Sequence, residues 1–331
     1  MFKQIFNTTL SQMAVLFIFI IIGFILIKLK VIKKDSIKTL SKLVSTVFLP
    51  LVLVKSFMTS FTVENLSASG SVLLFSLIIT TATTFLGIGI GALLIHNDDY
   101  LRKMYQYGLI YSNFTYIGIP IVQAVDPNYE IYYLIFTIIP QFVFTLWALP
   151  NLLIPREYQQ NDKNQNVFVK YLKRLFNPIF IGLLIGVILG LTGGGAWINA
   201  NLKFVSSAIA TGAGCMSPIA MILTGVVIAS YDIVKCLKDY RIYAISIIRL
   251  ILIPVTFGFL YKLVGLAFDL SGYEYLLLCL ITYTSMPLGL NTVIIPSAFD
   301  KDVIDCAGMA LVSHVIGLIT IPLIFALFIS M

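Results

Sequence analysis

Apolar residues run along this chain in blocks near the length of about 20 that a helix needs to cross the hydrocarbon core of a bilayer. Short polar stretches rich in Lys, Asp and Asn part them. The blocks predict ten helices, at roughly 8–30, 40–59, 70–95, 103–125, 131–154, 178–198, 204–230, 242–267, 275–298 and 305–330. The longest interruption, 156–177, is a polar linker running through Gln159, Asn161, Asp162 and Lys163. It divides the chain into two sets of five helices, 1–155 and 178–331. The predicted fold is therefore an all-α integral membrane protein with little chain left for a soluble domain.

Five is an odd number, so the two sets enter the membrane from opposite sides, and any kinship between them is an inverted repeat. The prolines support one. Pro50 and Pro218 each fall mid-helix in the second helix of their half, and the fourth helix of each half is interrupted too. Tyr111 to Pro120 reads YSNFTYIGIP, and Tyr283 to Pro296 reads YTSMPLGLNTVIIP. Proline removes a donor and clashes with the preceding turn, and in hydrocarbon every carbonyl so freed needs another partner. In transporters, paired broken helices meet near the midplane and bind substrate or ions with their free ends. The expected break zones are Ser112, Asn113, Gly118 and Pro120 in helix 4, and Ser285, Met286, Pro287, Gly289 and Asn291 in helix 9. Asn113 and Asn291, one amide beside each break, are the expected direct ligands; the alternative is that both cap freed backbone groups.

Composition agrees with the pattern. Of 331 residues 59% are hydrophobic and 11% charged, whereas a soluble domain carries about 25% charged residues. The net charge of +7 would suggest nucleic acid in a soluble protein; here it reports topology. Seventeen of the 22 Lys and Arg fall in the loops 1/2, 3/4, 5/6, 7/8 and 9/10, and only Lys3, Lys203 and Lys262 fall on the other side. Basic loops stay in the cytoplasm, so the linker is cytoplasmic and both termini are expected outside the plasma membrane. Lys28, Lys30, Lys33 and Lys34 close the first apolar run as a stop-transfer cluster with no cleavage site, which reads as a retained helix. The four cysteines form no CxxC pair, and Cys236 falls in a basic loop, so neither a disulfide framework nor a metal site is expected. No HExxH, GxGD, GxSxG or Walker A sequence occurs, and the two histidines lie far apart. Hydrolytic chemistry and ATP-driven pumping lack their machinery. No cofactor is implied.

Few ionisable residues fall inside the apolar blocks. Arg249 in helix 8 costs about 2.5–3.5 kcal/mol to place near a bilayer centre. It is either a counter-charge for an anionic substrate, a snorkelling side chain, or a donor to carbonyls freed by a break. Lys55, near the outer end of helix 2, either snorkels outward or lines an outer vestibule. His314 in helix 10 either marks a proton path or bonds within the protein. Gln141 in helix 5 either lines a cavity or joins two helices. The Gly-rich stretch 192–195 closes helix 6, and Tyr and Trp near helix ends read as interfacial anchors.

The runs SNFTYIGIP, MPLGLNT and SHVIGLITIPLI, with the FLP of helix 2, resemble the auxin efflux carrier family, which includes the plant PIN proteins and bacterial malate-permease-like members. The resemblance spans the chain. It implies a secondary transporter of a small organic anion, a mono- or dicarboxylate that is auxin-like or malate-like, moved by alternating access. Helices 1, 2, 6 and 7 would form a scaffold. Helices 3–5 and 8–10 would form an elevator-like transport domain, with substrate where helices 4 and 9 cross. Lys55 and Gln141 match stretches that face the substrate cavity in the family. The central loop is short, Ser112 stands where plant carriers have proline, and Lys55 and His314 replace other residue types. These departures favour a bacterial carboxylate carrier over an auxin carrier. The alternative is a sodium-coupled symporter of the bile-acid-transporter type, which would need a denser set of polar ligands around the breaks. Expected partners are the anion, the lipid bilayer and a second copy in a homodimer, without nucleic acid.

Overall fold

The computed structural model describes residues 2–158, 176–232, 234, 237–270 and 272–329. Most of the predicted linker (159–175) and Cys236 lie outside the described residues. Among the described residues the regular structure is helical, without strands. In chain order the helices are α1 (Phe2–Lys28), α2 (Ser36–Ser60), the short α3 (Val63–Ala68), α4 (Gly70–Leu94), α5 (Asp99–Ile110), α6 (Phe114–Val125) and α7 (Pro127–Leu153). Then follow α8 (Pro178–Leu191), α9 (Gly194–Asn201), α10 (Lys203–Ser230), α11 (Tyr240–Ala267), α12 (Glu274–Ser285), α13 (Asn291–Ala298) and α14 (Ile304–Ile329).

Seven of these, α1, α2, α4, α7, α10, α11 and α14, are long and apolar enough to cross a membrane unaided. The sixth predicted helix differs from expectation. It ends at Leu191 rather than near 198, and the chain turns by 85° into α9. Gly193 supplies the turn by adopting the left-handed region, φ 73°, which an L side chain resists. Helices 4 and 9 are each in two pieces, α5/α6 and α12/α13, and α5 and α12 have 12 residues apiece. At 1.5 Å per residue such a piece spans about 18 Å, well short of a bilayer core of about 30 Å.

Small residues set the closest packing. Gly182, Gly186 and Gly190 form one stripe of α8 against α2, where a Cβ would lie 2.7 Å from the Pro50 backbone and 2.8 Å from the Leu53 carbonyl. Gly23 of α1 and Gly225 of α10 do the same for a second pair, at 2.0 Å from the Ile222 carbonyl and 1.9 Å from the Ile20 carbonyl. In lipid, helices associate through this kind of backbone approach rather than through the hydrophobic effect.

The connections segregate into two faces. On one, Lys38 pairs with Asp300, Arg156 with Asp99 (2.8 Å) and Lys301 with Glu157 (2.7 Å). These ties join the loops that carry most of the basic residues. Burial pushes the Asp99 carboxyl up, but Lys103, Arg102 and Arg156 outweigh it and hold the group below the usual carboxylate range. On the other face the two ends of the chain meet the 4/5 and 8/9 connections around a cleft lined by Gln4, Asp126, Glu274 and Ile329.

Candidate functional site at the crossing of two broken helices

The crossing follows from backbone accounting. Pro287 has no N–H, so the Tyr283 carbonyl four residues earlier loses its helical donor and α12 stops at Ser285. Met286 is extended (φ −68°, ψ 153°), and so is Tyr111 at the end of α5 (φ −109°, ψ 120°). The two extended segments lie antiparallel and serve each other. The Asn113 N–H donates to the Pro287 carbonyl at 2.7 Å, and the Gly289 N–H donates to the Tyr111 carbonyl at 3.2 Å. A Cβ on Gly289 would lie 3.0 Å from the Tyr107 ring and 3.1 Å from the Tyr111 carbonyl, so the smallest residue stands at this contact.

The orphaned carbonyls of both first halves go to side chains. Tyr283 O accepts from the Ser112 hydroxyl at 2.6 Å and from Arg249 Nη2 at 2.9 Å. Leu109 O, which in an unbroken helix would take the Asn113 N–H, accepts from Arg249 Nη1 at 2.9 Å. Arg249 is fully buried and bonds to carbonyls, the third of its three readings. It lines neither the cavity nor the cleft described below.

Pro120 corrects the sequence reading of helix 4. It lies within α6, past a break formed by Tyr111, Ser112 and Asn113 without a proline. Pro296 likewise lies inside the second piece of its helix, α13, whereas Pro287 stands in the break itself. Pro120 does orphan the Tyr116 carbonyl, which accepts from the Ser217 hydroxyl of α10 at 2.6 Å. Gly118 is likewise not part of the break; a Cβ there would fall 2.3 Å from the Tyr133 hydroxyl, which donates to the Phe114 carbonyl at 2.9 Å.

A cavity of about 10 Å³ sits at the crossing, room for about one water. Asn113, Gln141, Asn291 and Tyr116 are among its walls. The helix start at Phe114, Thr115 and Tyr116, where N–H groups have no intrahelical acceptor, lines it too. Asn113 is 3% and Gln141 4% exposed, yet Asn113 Nδ2 and Gln141 Nε2 have no hydrogen-bond partner. Asn291 is differently placed. Its Nδ2 donates to the Tyr107 hydroxyl and its Oδ1 accepts from the Tyr116 hydroxyl, both at 2.9 Å.

Thr115 and Tyr116 also line a second, open cleft of about 540 Å³, together with Lys55, Pro120 and Gln123. Lys55 is exposed there. His314 stands apart from both spaces. Its Nδ1 meets the Ala310 carbonyl of its own helix at 2.7 Å, so this nitrogen donates, and Nε2 is buried without a partner. Sequence reasoning missed Tyr107, Tyr116 and Ser217. For Tyr107 the available signal was its place one turn before the break at Tyr111; Tyr116 and Ser217 carry no such local signal.

A family described as membrane transport protein matches residues 8–325. The chain belongs to that family. No curated protein matches it. Membership in the membrane transport protein family, which takes in the auxin efflux carriers, makes this a multi-pass membrane transporter and agrees with the resemblance of the break motifs. It lends no support to a sodium-coupled symporter of the bile-acid type.

Proposed function

We propose that this chain is a secondary transporter of a small organic anion, bound at the crossing of α5/α6 with α12/α13 and moved by alternating access. One observation carries the reading: two buried amide donors, Asn113 Nδ2 and Gln141 Nε2, face one small cavity with no partner. An unsatisfied buried donor costs about 1–3 kcal/mol, and a carboxylate would repay both; with room for about one water as it stands, the crossing has to widen toward the open cleft to admit one. The positive end of the α6 dipole adds to the same preference. Asn291 acts by holding Tyr107 and Tyr116. The open cleft past Thr115 and Tyr116 is the outer approach, and Lys55 draws anions into it.

The wider frame belongs to the same proposal. Each broken or bent pair counts as one crossing, which makes ten, in two inverted halves. The glycine-packed pairs α1 with α10 and α2 with α8 exchange with each other under that symmetry, as the scaffold helices 1, 2, 6 and 7 should. The plasma membrane, outward termini, a homodimer and a proton role for His314 complete it.

The test is charge at the two free donors. In Asn113→Asp and Gln141→Glu a carboxylate repels an anionic cargo while remaining isosteric, so binding and uptake of carboxylates in proteoliposomes should fall at least tenfold with folded yield retained. Normal uptake by both variants would sink the crossing as the site.

A further inference from the structure

The crossing keeps a full positive charge that no Asp or Glu among the described residues balances. Arg249 is closed to solvent, and none of the ion pairs among the described residues includes it. Every described Asp and Glu lies in a loop, a short connecting helix or the first turn of a helix. What holds the guanidinium is dipolar: the Leu109 and Tyr283 carbonyls at the C-terminal ends of α5 and α12, and the Tyr283 ring, 5.8 Å from Cζ to centroid. A helix dipole has no net charge, because its positive end matches its negative one. The unit therefore retains one positive charge. Since Arg249 grips both first halves at once, and Ser112 shares the Tyr283 carbonyl with it, the charge travels wherever the crossing travels.

We propose that Arg249 is a positioning residue that also fixes the charge number of the cargo, selecting a singly charged carboxylate over a doubly charged one. This rests on the reading of the crossing as the anion site. Loaded with a monoanion the moving unit is neutral and crosses the low-dielectric layer without working against the membrane potential. Loaded with a dianion it carries one negative charge, and empty it carries one positive charge. The voltage-sensitive step of the cycle is then the return of the empty unit.

The experiment uses the full chain in proteoliposomes clamped at 0 and 100 mV, with lactate and pyruvate as monocarboxylates and malate and succinate as dicarboxylates. Cargo-for-cargo exchange involves only loaded movements, whereas net uptake includes the empty return. Monocarboxylate exchange should be indifferent to potential. Net uptake should change by roughly 5- to 50-fold, according to how much of the field the unit crosses. Arg249→Gln removes the charge and keeps one donor group, and should make monocarboxylate exchange voltage-sensitive. A purely structural role would not move that readout. Arg249→Lys keeps the charge on a single ammonium that lacks the planar fork, so its exchange should be slower and still indifferent to potential. If Arg249→Gln does not fold, the wild-type and Arg249→Lys measurements decide. Voltage-sensitive monocarboxylate exchange in the wild type overturns this inference alone. Absence of transport and binding for both panels overturns the anion reading, and this inference falls with it.

Discussion

At the residue scale, the two asparagines that look alike in sequence have different duties. Asn113 presents an unpaired amide, while Asn291 spends both polar atoms on Tyr107 and Tyr116. Replacing Asn291 by Leu should therefore strand two buried phenols at about 1–3 kcal/mol each, lowering the Tm in detergent, whereas Asn113→Leu should cost little stability and abolish binding. Equal destabilisation by the two changes would contradict this division of labour. The sequence could place amides beside breaks because proline, glycine and asparagine announce a break locally. It could not say which amide is free, since that depends on tyrosines brought in by tertiary packing. Arg249 shows the same boundary: its cost in a bilayer was readable, but the carbonyls that receive it belong to two other helices. For His314 the ring already bonds to its own helix, so His314→Gln should flatten transport between about pH 5 and 8 only if the free Nε2 carries protons. An unchanged profile leaves it a packing residue.

At the element scale, apolar block length located the membrane helices and Pro287 located one of the two breaks, yet neither located the glue. The stripe Gly182, Gly186, Gly190 is visible in the sequence as small residues every fourth position, a known pattern for close helix contact in lipid. In sequence alone the same residues equally suit an ordinary membrane helix, where glycine is frequent. The structure gives the stripe a partner, and with it a prediction. Gly186→Val would drive a side chain into the Leu53 carbonyl and Phe57 at 2.8 Å, an overpacking cost of about 1–3 kcal/mol or more. Gly89→Ala, in α4, meets nothing within 4 Å and should be neutral in thermal unfolding. If the two variants melt alike, α2 and α8 do not pack through this stripe. The bend after Leu191 was half legible: glycines signalled an end to helix 6, but the short α9 beyond it carries apolar residues such as Trp197 and Ile198 that extended the apparent span.

At the scale of the whole molecule, the proposed cycle requires one side to be shut while the other is open, and two features divide in that way. The cleft beside Lys55 is open, while on the opposite face the start of α2 is seated on α13, with Ile37 and Ser41 buried and Lys38 paired to Asp300. An engineered cysteine at the exposed Glu64 should label from outside intact cells and one at the exposed Asn97 should not; the reverse pattern would invert the orientation. The Lys38–Asp300 pair joins an element assigned to the scaffold with one assigned to the moving part, so it should bias the equilibrium toward the outward-open form. Being exposed, it is screened by salt and worth only a few-fold in population. Lys38 is the better side to change, because Asp300 sits in the left-handed region (φ 59°), which Asp tolerates better than most residues. Lys38→Glu sets two carboxylates against each other, so the inner contact should loosen. A cysteine at Ser56, in the open cleft, should then label a few-fold more slowly from outside. Lys38→Arg should restore the original rate, and high salt should shrink the difference between Glu and Lys. Labelling that is indifferent to all three would mean that the pair is decoration on a face that does not open, and that access to the crossing alternates by some other contact.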